Sequence, residues 1–320
     1  MNIAFLGNFR PRTALGEPFS TESHLAATYE LLGHQVLRLQ EDETDKRTVP
    51  ALCHARGVAL FHWVDTWHSD YPGGFWMLDE LRRLGIPSVG YTLDLFVGLP
   101  RETLLDVDPW FRCDFYFSAD GGHPDVWAAK GINHHWMPPA VFAPECYLAE
   151  PDPALVQDII FVGSYGYHPQ WPYRQRLIDW LKVTYGSRFT HYDHSSGMRG
   201  HRLNQLYASA RVVIGDSCCP GFIQRDYWSD RVPETLGRGG YLIHPWISGM
   251  EAHFRSDRHF VGYRFGDFVY LQRLIEEALI GPQWRLAVRL AGHEHVKTHH
   301  TYTNRLQAML EIVALSEGVR

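Results

Sequence analysis

Two short apolar runs that end in glycine set the frame for this chain. Ile3-Ala4-Phe5-Leu6 closes on Gly7 near the start, and Asp158-Ile159-Ile160-Phe161-Val162 closes on Gly163 near the middle. Continuous apolar runs of this length, bounded by turn residues, read as strands covered on both faces. After each one the pattern alternates. In the first half, Ser20-Thr21-Glu22-Ser23 offers caps to a helix carrying Leu25, Ala26, Tyr29 and Leu32, which Gly33 ends. Residues 34–39, Gly57–His62 and Pro87–Tyr91 then read as strands, with a helix over Phe75–Leu84, and Cys113–Phe117 and the stretch before Met137 as weaker strands. In the second half, strands are expected at Phe189–Tyr192, Arg211–Gly215 and Gly240–His244. Helices are expected at Arg174–Tyr185, Leu203–Ala210, Arg231–Gly237, Phe268–Ile280 and from Tyr302 to Ser316. Strand, helix, strand at this cadence builds parallel sheets. The expectation is an α/β chain of two doubly wound, Rossmann-like domains facing across a cleft. They are a first domain over 1–150 and a second over 151–300, joined at Glu150-Pro151-Asp152-Pro153, with a C-terminal helix over 301–320 packing back toward the first. Open parallel sheets take ligands beyond the C-terminal ends of their strands, so chemistry is sought there.

Composition excludes several classes. At 320 residues, 45% hydrophobic and 21% charged, the chain can bury two cores, which rules out disorder and fibrous folds. No run of 18 apolar residues spans a membrane. The opening MNIAFLGNFR lacks a basic segment followed by a long apolar one, so no secretory signal is read, and a soluble cytoplasmic protein is expected. Cys53, Cys113, Cys146, Cys218 and Cys219 have neither disulfide-framework nor metal-ligand spacing. Nineteen histidines follow no metal pattern, so no metal is expected. Residues 1–160 hold 11 Lys+Arg and 22 Asp+Glu, a balance of −11; residues 161–320 hold 19 and 14, a balance of +5. The basic half suits an anion such as a nucleoside diphosphate, and the acidic half is a poor surface for bare DNA, unless the split is ordinary surface charge.

Three constellations sit at strand ends. Phe161-Val162-Gly163-Ser164-Tyr165-Gly166-Tyr167-His168 is a glycine-rich turn whose backbone can approach a phosphate, or a plain tight turn. Arg174 follows as a bidentate phosphate contact or a solvated helix residue. Asp226 to Glu234 runs into a helix start. There Arg231 can clamp a pyrophosphate and Glu234, one turn on, can accept both ribose hydroxyls, unless these charges only complement the helix dipole. In the first half, Tyr91-Thr92-Leu93-Asp94 ends a strand in a carboxylate, a general base or a capping residue. His24, His62, Trp63 and Asp65 also follow strand ends, near an aromatic group of Trp63, Trp67, Tyr71, Phe75 and Trp76. Asp106-Val107-Asp108 has metal-binding spacing but stands in a loop-like stretch before Pro109.

FVGSYGYH at 161–168, RVPETLGRGGYLIHP at 231–245 and HTYTNR at 300–305 together resemble GT-B glycosyltransferases, and within them the spore-maturation CgeB-like group. The resemblance spans nearly the whole chain and is closest over 158–305. It implies a metal-independent, cofactor-free transfer from a nucleotide sugar, a UDP-sugar on family grounds, to an acceptor hydroxyl. Glycan, protein and a hydroxymethylated DNA base are all open as acceptors. Gly163, Ser164 and Tyr165 would face the donor diphosphate with Arg174, and Arg231 would be its cation. Glu234 matches the second acid of an E-x7-E motif and would hold the ribose. Asp226 stands where the first acid belongs and is one methylene shorter. Asp94 and His24 would serve the acceptor, Asp94 as base in an inverting route or as a sugar-orienting group in a retaining one. A nucleotide-sugar 2-epimerase and a non-catalytic sugar-binding protein remain as alternatives.

Overall fold

Eleven strands form among the described residues, and the side chains of the central ones have almost no access to water. β1 (Asn2–Gly7) shows why: from Ile3 to Gly7 every residue is buried, as a central parallel strand covered by helices on both faces requires. With it come β2 (Gln35–Gln40), β3 (Leu60–Trp63), β4 (Ser88–Thr92), β5 (Phe115–Ser118) and β6 (His134–Trp136). They form one sheet in the order β2-β1-β3-β4-β5-β6, parallel throughout. A second parallel sheet has β7 (Gln157–Val162), β8 (Phe189–Tyr192), β9 (Ala210–Ile214), β10 (Leu242–Pro245) and β11 (Val261–Tyr263) in the order β11-β10-β9-β7-β8. The structure, a computed structural model, describes residues 1–10, 19–65, 73–166, 171, 173–217 and 225–317. Trp67, Tyr71, Tyr167, His168, Pro172, Cys218 and Cys219 lie outside them.

The chain divides into two units, Met1–Pro138 with Tyr302–Arg320, and Pro139–Thr301. In the first, helix Thr21–Leu31 starts where Ser20 Oγ accepts from the Ser23 amide at 3.1 Å, and it packs against helix Tyr302–Glu317. The second unit has two elements the sequence pattern did not give: β11 and helix Pro282–His299, which follows the expected helix Phe268–Ile280 almost directly. Helices Val49–Ala55 and Pro124–Ala129 in the first unit were likewise not expected. Each sheet changes the direction of its strand order at one point, between β1 and β3 and between β7 and β9. Such switch points open a crevice beyond the strand ends, the usual ligand position of a doubly wound sheet.

Much of the histidine content belongs to the cores. His62 stacks on Phe5 at 4.4 Å and meets the Tyr29 hydroxyl at 2.9 Å through Nδ1. In the second unit His259 stacks on His295 at 4.0 Å. Burial lowers His62 to about 3, and His244 and His259 to about 4. The folded values lie below the unfolded one, so the unfolded chain binds the extra proton in acid. Stability is therefore full above about pH 6.5 and is lost as the pH falls through about 6 toward 4. Thermal melts across that range should show Tm level at neutral pH and falling steadily below it; a Tm unchanged down to pH 5 would contradict the burial of these rings.

Candidate functional site

The second switch point is built around Gly163. Here β7 ends, and Gly163 turns the chain at φ +145, a region that favours glycine. Sterics give a second reason. A Cβ on Gly163 would stand 2.6 Å from Arg231 Nη2 and 2.7 Å from its Nε, so the guanidinium lies directly against the glycine backbone. Arg231 Nε donates to the Val162 carbonyl at 3.1 Å, and the group sits 5.9 Å from the Phe161 ring centroid. With 19% of its side chain exposed, Arg231 is held by the strand end and still reachable from solvent.

The glycine's own polar groups are already used. Its N–H donates to the Tyr192 carbonyl at 2.8 Å, and its carbonyl is 2.7 Å from His191 Nε2. Both groups are spent within the chain, and the position needs glycine so that Arg231 can approach. Ser164 is half-buried, and its carbonyl lies 3.4 Å from Arg174 Nη1. Tyr165 is exposed; its hydroxyl donates to Asp179 at 2.7 Å, and Lys182 lies over its ring at 5.1 Å.

Arg174 is not a solvated residue. It is 3% exposed, and its Nε contacts both carboxylate oxygens of Asp216, itself 0% exposed, at 3.0 and 2.9 Å. Asp216 follows β9 and Arg174 opens the helix Tyr173–Tyr185 that follows β7, so the pair ties the two banks of the switch point together. Sequence reasoning passed over Asp216 because it lies in no motif. Around it a polar chain fixes the approach to helix Arg231–Gly237. Ser229 Oγ donates to the Asp216 carbonyl at 2.9 Å, and the Ser229 amide to Ser217 Oγ at 2.8 Å. Ser217 Oγ is 3.0 Å from His244 Nε2, whose other nitrogen is 2.8 Å from the Pro245 carbonyl. Burial holds His244 neutral, which suits one donor and one acceptor nitrogen.

The two acids of the spaced pair are held differently. Asp226 has φ +53, donates its amide to the Ser248 carbonyl at 2.8 Å and pairs with Arg225 at 2.9 Å. A Cβ on Gly249 would collide with its Oδ1, so its carboxylate lies against that turn. Glu234 lies one turn beyond Arg231 on the same helix, and its Oε2 accepts from Arg238 Nε at 2.8 Å. The structure thus brings Gly163 and Arg231 into contact, and Arg174 to Ser164.

In the first unit Asp94 follows β4. Its amide donates to Thr92 Oγ1 at 3.0 Å, and its carboxylate is 3.6 Å from Arg101 Nη1. His24 is buried in the first turn of the helix after β1, at that unit's switch point. Asp65 is buried just after β3, on the other bank. Of the described aromatics there, Trp63 is buried and Phe75 and Trp76 are exposed. Asp106 pairs with Lys130 at 2.5 Å and Asp108 caps the Trp110 amide at 2.9 Å, so both acids of that spacing have structural partners. Among the described residues no three His, Cys, Asp or Glu side chains are grouped to hold a metal ion.

Comparison with known proteins follows this geometry. The family described as "Glycosyl transferase-like" matches residues 156–311, which contain the whole Gly163–Arg231–Glu234 constellation. No curated protein matches the chain in sequence. Solved structures match it along its length. Sucrose-phosphate synthase from Thermosynechococcus elongatus is 13% identical, with 100% of both chains covered and a TM-score of 0.66. An alpha-glucosyltransferase in complex with UDP and a 13-mer DNA containing a HMU base is 10% identical, covering 98% of this chain and 99% of that one, TM-score 0.66. Anabaena Alr3699/HepE in complex with UDP-glucose is 11% identical, at 98% and 99% coverage, TM-score 0.63. These likenesses bear out the two Rossmann-like domains of the GT-B fold. The glycosyl transferase-like match over residues 156–311 and these likenesses make the chain similar to glycosyltransferases of the GT-B fold.

Proposed function

We propose that the chain moves a sugar from a UDP-sugar to an acceptor hydroxyl, with no resident metal or other cofactor, and that it is of the CgeB-like group. The observation that carries this is the Arg231 guanidinium lying on Gly163 at the end of β7, with Glu234 one turn on. A cation fixed there neutralises the charge that grows on the departing diphosphate, where electrostatic stabilisation counts most. Glu234 accepts the ribose hydroxyls. Ser164 and Tyr165 border the diphosphate, Arg174 braces the turn through Asp216, and Asp226 serves as the first acid of the donor site. Two of the solved structures described above hold UDP or UDP-glucose, which supports uridine as the nucleoside of the donor.

Asp94 and His24 face the acceptor chemistry. Asp94 takes the hydroxyl proton in an inverting transfer or orients the sugar in a retaining one. Glycan, protein and hydroxymethylated DNA each offer the required hydroxyl, and one of the structural relatives holds DNA with a HMU base. The first unit carries 13 Lys+Arg against 20 Asp+Glu, which favours an acceptor without a phosphate backbone. Cys53 and Cys113 in the first unit and Cys146 in the second are buried free thiols, which suits work in the reducing cytoplasm.

Glu234→Ala is the direct test. A charge-assisted pair of hydrogen bonds to the ribose contributes about 2 kcal/mol, so UDP should bind roughly 30-fold more weakly, with EDTA present, and Tm should fall because Arg238 loses one of its two carboxylate partners. Unchanged UDP affinity in calorimetry would remove Glu234 from the donor site.

A further inference from the structure

Arg238, in Gly237-Arg238-Gly239-Gly240 at the end of helix Arg231–Gly237, is among the most enclosed charges of the described residues. It is 2% exposed. Its Nε donates to Glu234 Oε2 at 2.8 Å, its Nη2 to Glu145 Oε2, and its Nη1 to Asn204 Oδ1 and, at 3.3 Å, to the Gly200 carbonyl. Asn204 is in turn fixed by donating to the Glu145 and Tyr147 carbonyls at 2.8 and 3.0 Å. Four separate acceptors, on the turn at Ala143–Glu145, the helix Gly200–Ser209 and the helix Arg231–Gly237, therefore hold one planar fork. Glu234 is the only one of the paired carboxylates with substantial exposure, at 21% against 12% for Glu145.

From this arrangement we infer that Arg238 is a positioning residue for nucleotide binding, and that Glu145 tunes it; the inference rests on the reading of Glu234 as the ribose acceptor. A glutamate on the helix surface has three rotatable bonds and would spend entropy to meet a diol. Arg238 removes that freedom before the ligand arrives, because its fork fixes one carboxylate oxygen in plane. An arginine paired to Glu234 alone would also neutralise it and weaken it as an acceptor. Glu145 shares the same guanidinium, so two carboxylates divide one positive charge and Glu234 keeps net negative charge for the ribose hydroxyls. A lysine at 238 could supply the charge but neither the plane nor the four directed bonds.

The test compares UDP with 2′,3′-dideoxy-UDP, which differ only in the hydroxyls that Glu234 would hold. By calorimetry, the parent should prefer UDP at least 10-fold. Arg238→Lys should cut that preference below about 3-fold and leave dideoxy-UDP affinity within about twofold, a pattern that general loosening of the fold would not produce. Glu145→Gln keeps shape and relieves the charge sharing; it should lower the preference several-fold, and it decides the matter if Arg238→Lys does not fold. Full preference in whichever of these variants folds overturns the positioning role. Glu234→Ala separates the two levels. If it abolishes the preference while Arg238→Lys and Glu145→Gln retain it, only the positioning role fails. If the parent shows no preference, or Glu234→Ala retains it, the ribose reading fails and this inference with it.

Discussion

Arg231→Ala is expected to lower kcat/KM for UDP-sugar turnover on the order of 10²- to 10³-fold, about 3–4 kcal/mol of transition-state stabilisation. The size follows from where the guanidinium lies. It rests on the backbone of Gly163, is anchored to the Val162 carbonyl at 3.1 Å, and remains partly open to solvent. A cation already fixed by the strand end does not have to be ordered during the reaction, so its full electrostatic effect is spent on the leaving diphosphate. The cost to folding should be small, about 1 kcal/mol for the lost bond to Val162. Arg231→Lys should recover only part of the rate, because an ammonium cannot bond the carbonyl and face a diphosphate with one planar fork. Initial rates of nucleotide release from UDP-sugars measure this. An Arg231→Ala protein with parental kcat/KM would mean the diphosphate lies elsewhere.

Asp216→Ala should instead be a stability variant, costing about 3–5 kcal/mol in urea unfolding. Arg174 and Asp216 are almost wholly buried and meet through two contacts of 3.0 and 2.9 Å. Removing one partner leaves the other charge uncompensated in a low-dielectric interior, which costs more than the pair itself contributes. A double replacement, Arg174→Met with Asp216→Leu, should therefore be less damaging than Asp216→Ala alone. It should still weaken nucleotide binding, because the pair links the chain after β7 to the chain after β9. If Asp216→Ala unfolded within 1 kcal/mol of the parent, by the measure used for buried pairs, the pair would not be the brace described.

Much of the fold was legible because parallel strands announce themselves. Ile3–Leu6 and Asp158–Val162 are mostly apolar runs stopped by glycine, and each lies in a strand of the structure. Strand β11 (Val261–Tyr263) was not legible: three residues with a glycine at the centre give no periodicity to read. Helix Pro282–His299 was missed because its polarity runs against the pattern: Trp284, Leu286 and Leu290 are exposed, while the buried stripe is Val288, Gly292, His293 and Val296. At the site, Gly163 and Arg231 were singled out separately; their contact across 68 positions of chain is a tertiary fact that spacing cannot encode. Arg174 carried two readings, phosphate contact or solvated surface. Its burial against Asp216 excludes the second, and only the packing of two strand ends reveals the partner. Arg238 sits four residues after Glu234, a spacing that puts both on one helix face and offers a local signal for their pairing.

The central claim is that the Gly163–Arg231 corner binds the diphosphate of a uridine nucleotide. The most direct measurement is calorimetric titration of the parent and of Arg231→Ala with UDP, GDP and ADP, in buffer containing EDTA. The account predicts saturable one-site binding of UDP by the parent, selective over GDP and ADP, and its near loss in Arg231→Ala. Absence of UDP binding by the parent, or equal binding by both proteins, would contradict it.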